Sequence, residues 1–96
     1  MLINLTPMRR DDSLELVREG TTLIMNGERF DFSAVVEGDG LTQEAVRCDW
    51  LASDVEMVGG VLQMTLILPH GGDASAAALF PEPVRVSEDG PVTLPV

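Results

Sequence analysis

The sequence predicts an all-β fold of about eight short, mostly antiparallel strands in hairpins, forming a small sandwich or an open barrel with at most one or two short helical turns. Three turn signals lead to this prediction, because Asn26-Gly27, Gly59-Gly60 and Asp89-Gly90 separate stretches rich in alternating apolar and polar residues. A chain of 96 residues is too short for two ordinary domains. We therefore expect residues 1–96 to form a single β-rich domain.

The first turn signal, Asn26-Gly27, predicts a two-residue hairpin loop. This loop pairs Leu23 with Phe30, and the register that it sets gathers apolar side chains on one face. Turn chemistry and apolar pattern therefore favour the same hairpin. The predicted apolar face contains Leu23, Met25, Phe30 and Phe32, and the opposite face contains Ile24, Arg29 and Asp31.

The second turn signal, Gly59-Gly60, predicts the longest hairpin of the chain. Its pairing runs from the turn outward to Leu51 opposite Leu68, and one of its faces is almost entirely apolar. We therefore expect this hairpin to lie at the centre of the fold. The predicted apolar face contains Leu51, Ser53, Val55, Met57, Leu62, Met64, Leu66 and Leu68.

The third turn signal fits a three-residue loop over residues 88–90, whose glycine takes the left-handed position. This loop would pair Val86 with Val92 in a third hairpin. Pro91 and Pro95 then predict an edge strand, because proline has no N–H to donate to a second neighbour.

Further strands are predicted outside the hairpins. Residues 2–6 form a short strand that ends at Pro7, and residues 14–19 form another that turns at Gly20. Alternating apolar side chains over residues 46–50 predict a strand or an extended approach to the second hairpin.

Helical structure is limited to two short segments. One turn is expected after Thr42, which would cap it, and the rest of residues 33–45 is expected to be loop. Residues 75–79 favour a second turn, capped by Asp73 or Ser75.

The charge of the chain excludes several classes of function. Sixteen acidic and six basic residues give a net charge of −10, the wrong sign for binding a nucleic-acid backbone.

A single cysteine implies no disulfide within the chain, and the longest apolar run, residues 76–80, is far shorter than the roughly 20 residues of a membrane span. We expect a protein of the bacterial cytoplasm, with neither nucleic acid nor membrane as a partner.

No catalytic, cofactor or metal site is predicted. Cys48 falls on an apolar face, where a buried and inert thiol is expected. The His70-Gly-Gly segment is similar to the oxyanion-hole segment of esterases, but none of the serines lies in the G-x-S-x-G pattern that holds their nucleophile. Residues 37–40 alternate carboxylates with glycines, but they lack the twelve-residue loop and the closing glutamate of an EF-hand. A solvated loop is the expectation there, and we expect no enzymatic activity.

Apolar residues on the second face of the predicted hairpins indicate either a doubly covered sheet or an exposed patch, and an exposed patch would mark an interface. Asp54 and Glu56 share this face and offer the best surface for a basic partner. Phe80, held between residues stiffened by proline, could plug one end of the core or a groove of a neighbouring protein, and we expect the core plug. The candidate interaction surface consists of Ile24, Asp54, Glu56, Val58, Val61 and Ile67.

Four segments, NGERFDFS at 26–33, WLASDVE at 50–56, LILPHG at 66–71 and FPEP at 80–83, resemble small uncharacterised proteins encoded in bacterial prophages. Such proteins tend to accompany tail and tail-fibre genes. These segments hold turn and core residues, so the resemblance implies a phage-related setting and transfers no activity.

The function predicted from these observations is that of a non-enzymatic, phage-related interaction protein. It would act as a tail component or as an accessory of tail or fibre assembly, and would bind a protein partner or itself. One alternative is an acidic decoy that mimics DNA, which needs carboxylates in long rows at phosphate spacing. The other is a small-ligand-binding β-domain, which needs more exposed aromatic residues than Trp50 and three phenylalanines supply.

Overall fold

The computed structural model describes residues 1–73 and 75–94, which form two β-sheets and two short helices. The fold is predominantly β, as predicted. In chain order the elements are β1 (Leu2–Arg9), β2 (Leu16–Glu19), β3 (Thr22–Met25), β4 (Glu28–Asp31), β5 (Gly40–Leu41), α1 (Gln43–Val46), β6 (Val55–Val58), β7 (Val61–His70), α2 (Ala76–Leu79), β8 (Val84–Arg85) and β9 (Gly90–Pro91).

The strands divide into a five-stranded sheet, in the order β5-β6-β7-β1-β8, and a four-stranded sheet, in the order β4-β3-β2-β9. The paired neighbours are antiparallel except for β1 and β7, which run parallel. Buried side chains from both sheets join in one hydrophobic cluster, which includes Ile3, Val55 and Leu66 from the first sheet and Leu23 and Met25 from the second. The face of each sheet opposite these buried strand residues is its outer face.

The predicted central position of the second hairpin is confirmed, because β7 pairs with both β6 and β1. Next to the turn the register is also as predicted, with Val58 opposite Val61. Farther from the turn the predicted register is wrong, since Leu51 bridges to Leu66 rather than to Leu68.

The change of register comes from a bulge that precedes β6. The Ser53 hydroxyl accepts a hydrogen bond from the Thr65 N–H at 2.9 Å and donates one to the Asp54 carbonyl at 2.9 Å. A side chain thus takes the place of a backbone acceptor, and the ladder resumes where the Ala52 N–H donates to the Thr65 carbonyl at 2.8 Å.

The first predicted hairpin is confirmed in loop and register. Leu23 lies opposite Phe30, and Asn26 and Gly27 have φ of 50° and 84°, as a type I′ turn requires. The Asn26 side chain also accepts from the Glu15 N–H at 2.6 Å and donates to the Ser13 carbonyl at 2.9 Å. The Asn26 side chain therefore holds the segment that leads into β2, as well as the hairpin turn.

The predicted strand end at Pro7 is wrong, because β1 continues to Arg9. The Arg10 N–H donates to the His70 carbonyl, so even-numbered residues of β1 direct their backbone groups at β7. The backbone of Pro7 is directed at the opposite edge of β1, where β8 pairs only with Leu2 and Ile3. Its missing N–H therefore removes no ladder hydrogen bond.

The predicted third hairpin is also wrong, because residues 88–90 connect the two sheets. The Val86 N–H donates to the Met1 carbonyl in one sheet, and the Val92 N–H donates to the Leu16 carbonyl in the other, both at 2.8 Å. Strands of two residues gain more by extending existing sheets than by pairing with each other alone.

The edge position predicted from Pro91 is confirmed, because β9 is the last strand of its sheet. Pro95 lies outside the described residues. The connection between the two sheets over residues 88–90 is held at Asp89, whose carboxylate accepts a hydrogen bond from the Gly20 N–H at 2.9 Å.

Both predicted helical turns are present. Thr42 and Ser75 cap α1 and α2, each through its side-chain oxygen. The strand or extended approach predicted over residues 46–50 is wrong, because Arg47 ends α1 in the left-handed conformation and a turn follows. The short strand β5 lies within the segment predicted as loop. No helix among the described residues is long and apolar enough to cross a membrane.

Candidate interaction surface

Four of the six candidate residues belong to strands of the five-stranded sheet, and Asp54 immediately precedes β6. Val58 and Val61 lie opposite each other beside the β6–β7 turn, and Glu56 lies opposite Gln63. Because residues of β7 alternate between faces and Leu62 and Leu66 are buried, the side chains of Val61 and Ile67 belong to the outer face.

Exposure differs among these residues. Val58 is 49% exposed, Val61 is half-buried, and Ile67 is half-buried and packs against the hydrophobic cluster. Val58 is therefore the apolar candidate that is most available to a partner.

Ile24 is not part of this surface, because it lies on β3 in the other sheet. It is half-buried on the outer face, opposite Arg29 of β4 and Val17 of β2. The Arg29 guanidinium forms an ion pair with the Glu19 carboxylate on β2, and this pair spans the intervening strand beside Ile24. The structure thus separates Ile24 from the other five candidates.

Met8 also extends the outer face of the five-stranded sheet, although no pattern in the sequence places it there. Thr6 lies opposite Ile67 and Met8 lies opposite Pro69, so alternate residues of β1 share this face with β7. Met8 is 46% exposed. The apparent strand end at Pro7 concealed it, and a parallel pairing leaves no turn signal in the sequence.

The two acidic candidates have different surroundings. The Asp54 carboxylate accepts from the Gln43 N–H at 2.9 Å and so fixes the first residue of α1. Glu56 is exposed on β6, beside a cavity of about 260 Å³ that Asp39 and Val58 also line. Of the two predicted acidic contacts for a partner, Glu56 is the freer.

The carboxylate-glycine loop at residues 37–40 has a structural role. The two Glu37 carboxylate oxygens accept from the N–H groups of Gly59 and Gly60, at 2.7 and 3.1 Å. These glycines have positive φ, and the carboxylate satisfies their donors at the β6–β7 turn. No group of three or more potential metal-ligating side chains occurs within residues 1–73 and 75–94.

Cys48 and His70 stand in unrelated surroundings. Cys48 is buried with its Sγ 3.5 Å from Met25 Sδ, and burial raises the pKa of its thiol. His70 is the last residue of β7, with Nδ1 2.9 Å from the Gly71 carbonyl oxygen. A raised thiol pKa leaves less thiolate at neutral pH, which opposes a nucleophilic role.

Trp50, the single tryptophan, is buried beneath a charged side chain. The Arg10 guanidinium lies 4.1 Å from the centre of the Trp50 ring and donates two hydrogen bonds, of 2.8 and 2.7 Å, to the Asp12 carboxylate. This pairing keeps the pKa of Asp12 below its ordinary value. Trp50 is therefore unsuited to stack on a ligand.

The prediction that Phe80 plugs the core is wrong. The side chain is 81% exposed, next to the end of α2. The buried residue of α2 is Ala78, so the small side chain anchors the helix and the large one faces solvent.

Comparison of the chain with protein families, with curated proteins and with solved structures finds no match.

Proposed function

We propose that the chain is a non-enzymatic, phage-related interaction protein that acts as a tail component or as an accessory of tail or fibre assembly. The observation that carries this proposal is the outer face of the five-stranded sheet beside the β6–β7 turn, where Val58 is about half exposed and lies opposite Val61, with Met8 exposed at the other end of β7. Adjoining exposed apolar side chains rimmed by polar residues mark protein-binding surfaces, and Val58 and Val61 adjoin one another next to Glu56. We place the protein in the bacterial cytoplasm, with the assembled virion as the alternative location.

The phage-related part of the proposal depends on the resemblance of four segments to small prophage-encoded proteins. Those segments include Val55 and Glu56 of β6 and the end of β7, whereas Val58 and Val61 lie outside them. Tail and fibre assembly consists of contacts between proteins, so this setting agrees with a surface made for binding rather than for catalysis.

The chemistry of the surface favours a basic protein partner. Val58 and Val61 would exclude water at the centre of the contact, and Glu56 lies two residues from Val58 on the same face. The net charge of −10 would attract a basic partner and repel a second copy of the chain. Self-association is the alternative, and high salt would favour it.

Carboxylate contacts elsewhere support an interaction protein over a DNA mimic. Glu37 and Asp89 each bind backbone N–H groups of glycine turns, and Asp54 binds the start of α1. Asp12 and Glu19 pair with arginines. A mimic needs its carboxylates free and in rows, whereas these five are used to hold the fold together.

A capture experiment with a charge-matched control tests the proposal. Val58→Asp places a carboxylate in the apolar centre, and Thr21→Asp adds the same charge at an exposed turn of the other sheet. We expect the parent chain and Thr21→Asp to capture the same virion protein from a lysate of an induced prophage strain, with identification by mass spectrometry. Val58→Asp should capture at least about 30-fold less, the loss expected for a central interface residue.

Light scattering of the purified chain accompanies the capture. A chain that stays monomeric and captures no virion protein at low salt would contradict the proposal. Equal capture by Val58→Asp and by the parent chain would show that the outer face is not the surface involved.

A further inference from the structure

A second apolar feature is a cleft of about 720 Å³ between α2 and the segments around β8 and residues 93–94. Most of its lining is apolar and includes Ala76, Ala77, Val84 and Leu94. Val84 and Leu94 also pack against the hydrophobic cluster. The walls of the cleft are therefore anchored in the fold.

Phe80 lines this cleft and is the most exposed large apolar side chain of the described residues. Its backbone N–H closes the last turn of α2 by donating to the Ala76 carbonyl at 2.9 Å, so the fold uses its backbone while its side chain meets solvent. Pro81 and Pro83 restrict the chain that follows. A stiff presentation of a large aromatic side chain reduces the entropy lost when a partner binds it.

The charge around the cleft distinguishes between possible occupants. Glu82 is the only charged residue among the described lining residues. The surrounding segment, residues 71–94, contains four acidic residues and one arginine. A second copy would bring the same acidic rim and a further net charge of −10, whereas a basic segment would meet complementary charge.

We propose that the cleft binds a short segment of another protein, with one apolar side chain seated against Phe80 and a Lys or Arg beside it that pairs with Glu82. This site is separate from the outer face of the five-stranded sheet and does not depend on that surface binding a partner. The two surfaces would allow the chain to connect two proteins.

Titration of the ¹⁵N-labelled full chain with synthetic peptides tests the proposal. The first peptide carries a central Leu-Phe pair flanked by Arg and Lys, the second replaces the basic residues with Glu, and the third replaces Leu-Phe with Ser-Ser. We expect only the first to shift the amide resonances of residues 76–84 and 93–94 at low salt. Phe80→Ala should weaken that binding by about 30-fold, and Glu82→Gln by about two- to five-fold.

Val36→Ala serves as the matched control, because it truncates another exposed apolar side chain that belongs to neither proposed surface. It should leave peptide binding at the cleft unchanged. Equal binding of the basic and acidic peptides would overturn the proposal, as would an affinity of Phe80→Ala for the first peptide equal to that of the parent chain. Shifts caused by protein concentration alone and abolished by Phe80→Ala would also overturn it, because the occupant would then be a second copy.

Discussion

The outer faces of the two sheets contain similar apolar residues but expose them differently. On the four-stranded sheet, the ion pair of Arg29 with Glu19 crosses β3 beside Ile24, which is half-buried. On the five-stranded sheet, Val58 faces Val61 beside the glycine turn and is 49% exposed. Of these outer-face residues, Val58 is therefore the one that offers a partner the most apolar surface.

The largest expected effect compares the inner and outer faces of β7. Leu66 is fully buried and Ile67, the next residue, lies on the outer face. Leu66→Ala should lower the free energy of unfolding by about 2–5 kcal/mol, and Ile67→Ala by about 1 kcal/mol, because only part of its side chain leaves water. Urea unfolding followed by Trp50 fluorescence measures both, and equal losses would contradict the assigned alternation.

A smaller loss of stability is expected at the Gly59-Gly60 turn, beside the outer face of the five-stranded sheet. Glu37→Ala removes the acceptor of the Gly59 and Gly60 N–H groups and should cost about 1 kcal/mol of unfolding free energy. Asp39→Ala removes a carboxylate from the same loop and serves as the control. The urea midpoints of the two variants give the comparison. If both variants lose the same stability, the hydrogen bonds of Glu37 are not what fixes the turn.

The ion pair of Arg29 with Glu19, on the outer face of the four-stranded sheet, should contribute still less to the free energy of unfolding. Both of its side chains are at least half exposed, so a double-mutant cycle with Arg29→Ala and Glu19→Ala should give a coupling free energy of about 0.2–1 kcal/mol. This coupling should fall in high salt. A cycle without coupling would remove the ion pair as the explanation of the difference between the two faces.

The smallest effect is a pH dependence at Trp50. The hydrogen bonds from Arg10 hold the pKa of Asp12 below its ordinary value, so the pair stabilises the fold above the ordinary carboxyl pKa. That contribution is lost as the pH falls through the lowered pKa of the folded state. Trp50 fluorescence should therefore change in acid for the parent chain, and Asp12→Asn should remove that change. The same acid transition in Asp12→Asn would assign it to another group.

The sequence predicts best where local chemistry and apolar pattern agree. Asn26-Gly27 and Gly59-Gly60 specify their turns because positive φ and the alternation of strand residues require the same register. Residues 88–90 contain an equally good turn, yet their flanks join different sheets, because pairing with Met1 and Leu16 depends on distant segments.

The candidate surface was predicted only in part, for the same reason. Alternation along one hairpin placed Glu56, Val58 and Val61 on a common face. It could not add Met8, which reaches that face through a parallel pairing distant in sequence, nor could it separate Ile24, which lies in the other sheet.

Site-specific photo-cross-linking tests the difference between the two outer faces most directly. A photoreactive phenylalanine replaces Val58 in one variant and Ile24 in another, each shown to be folded by its urea midpoint, and both are irradiated in a lysate of an induced prophage strain. We predict that position 58 gives a cross-link to a basic virion protein, weakened by salt, and that position 24 gives none. Absence of a cross-link at position 58, or the same cross-link from position 24, would contradict the account.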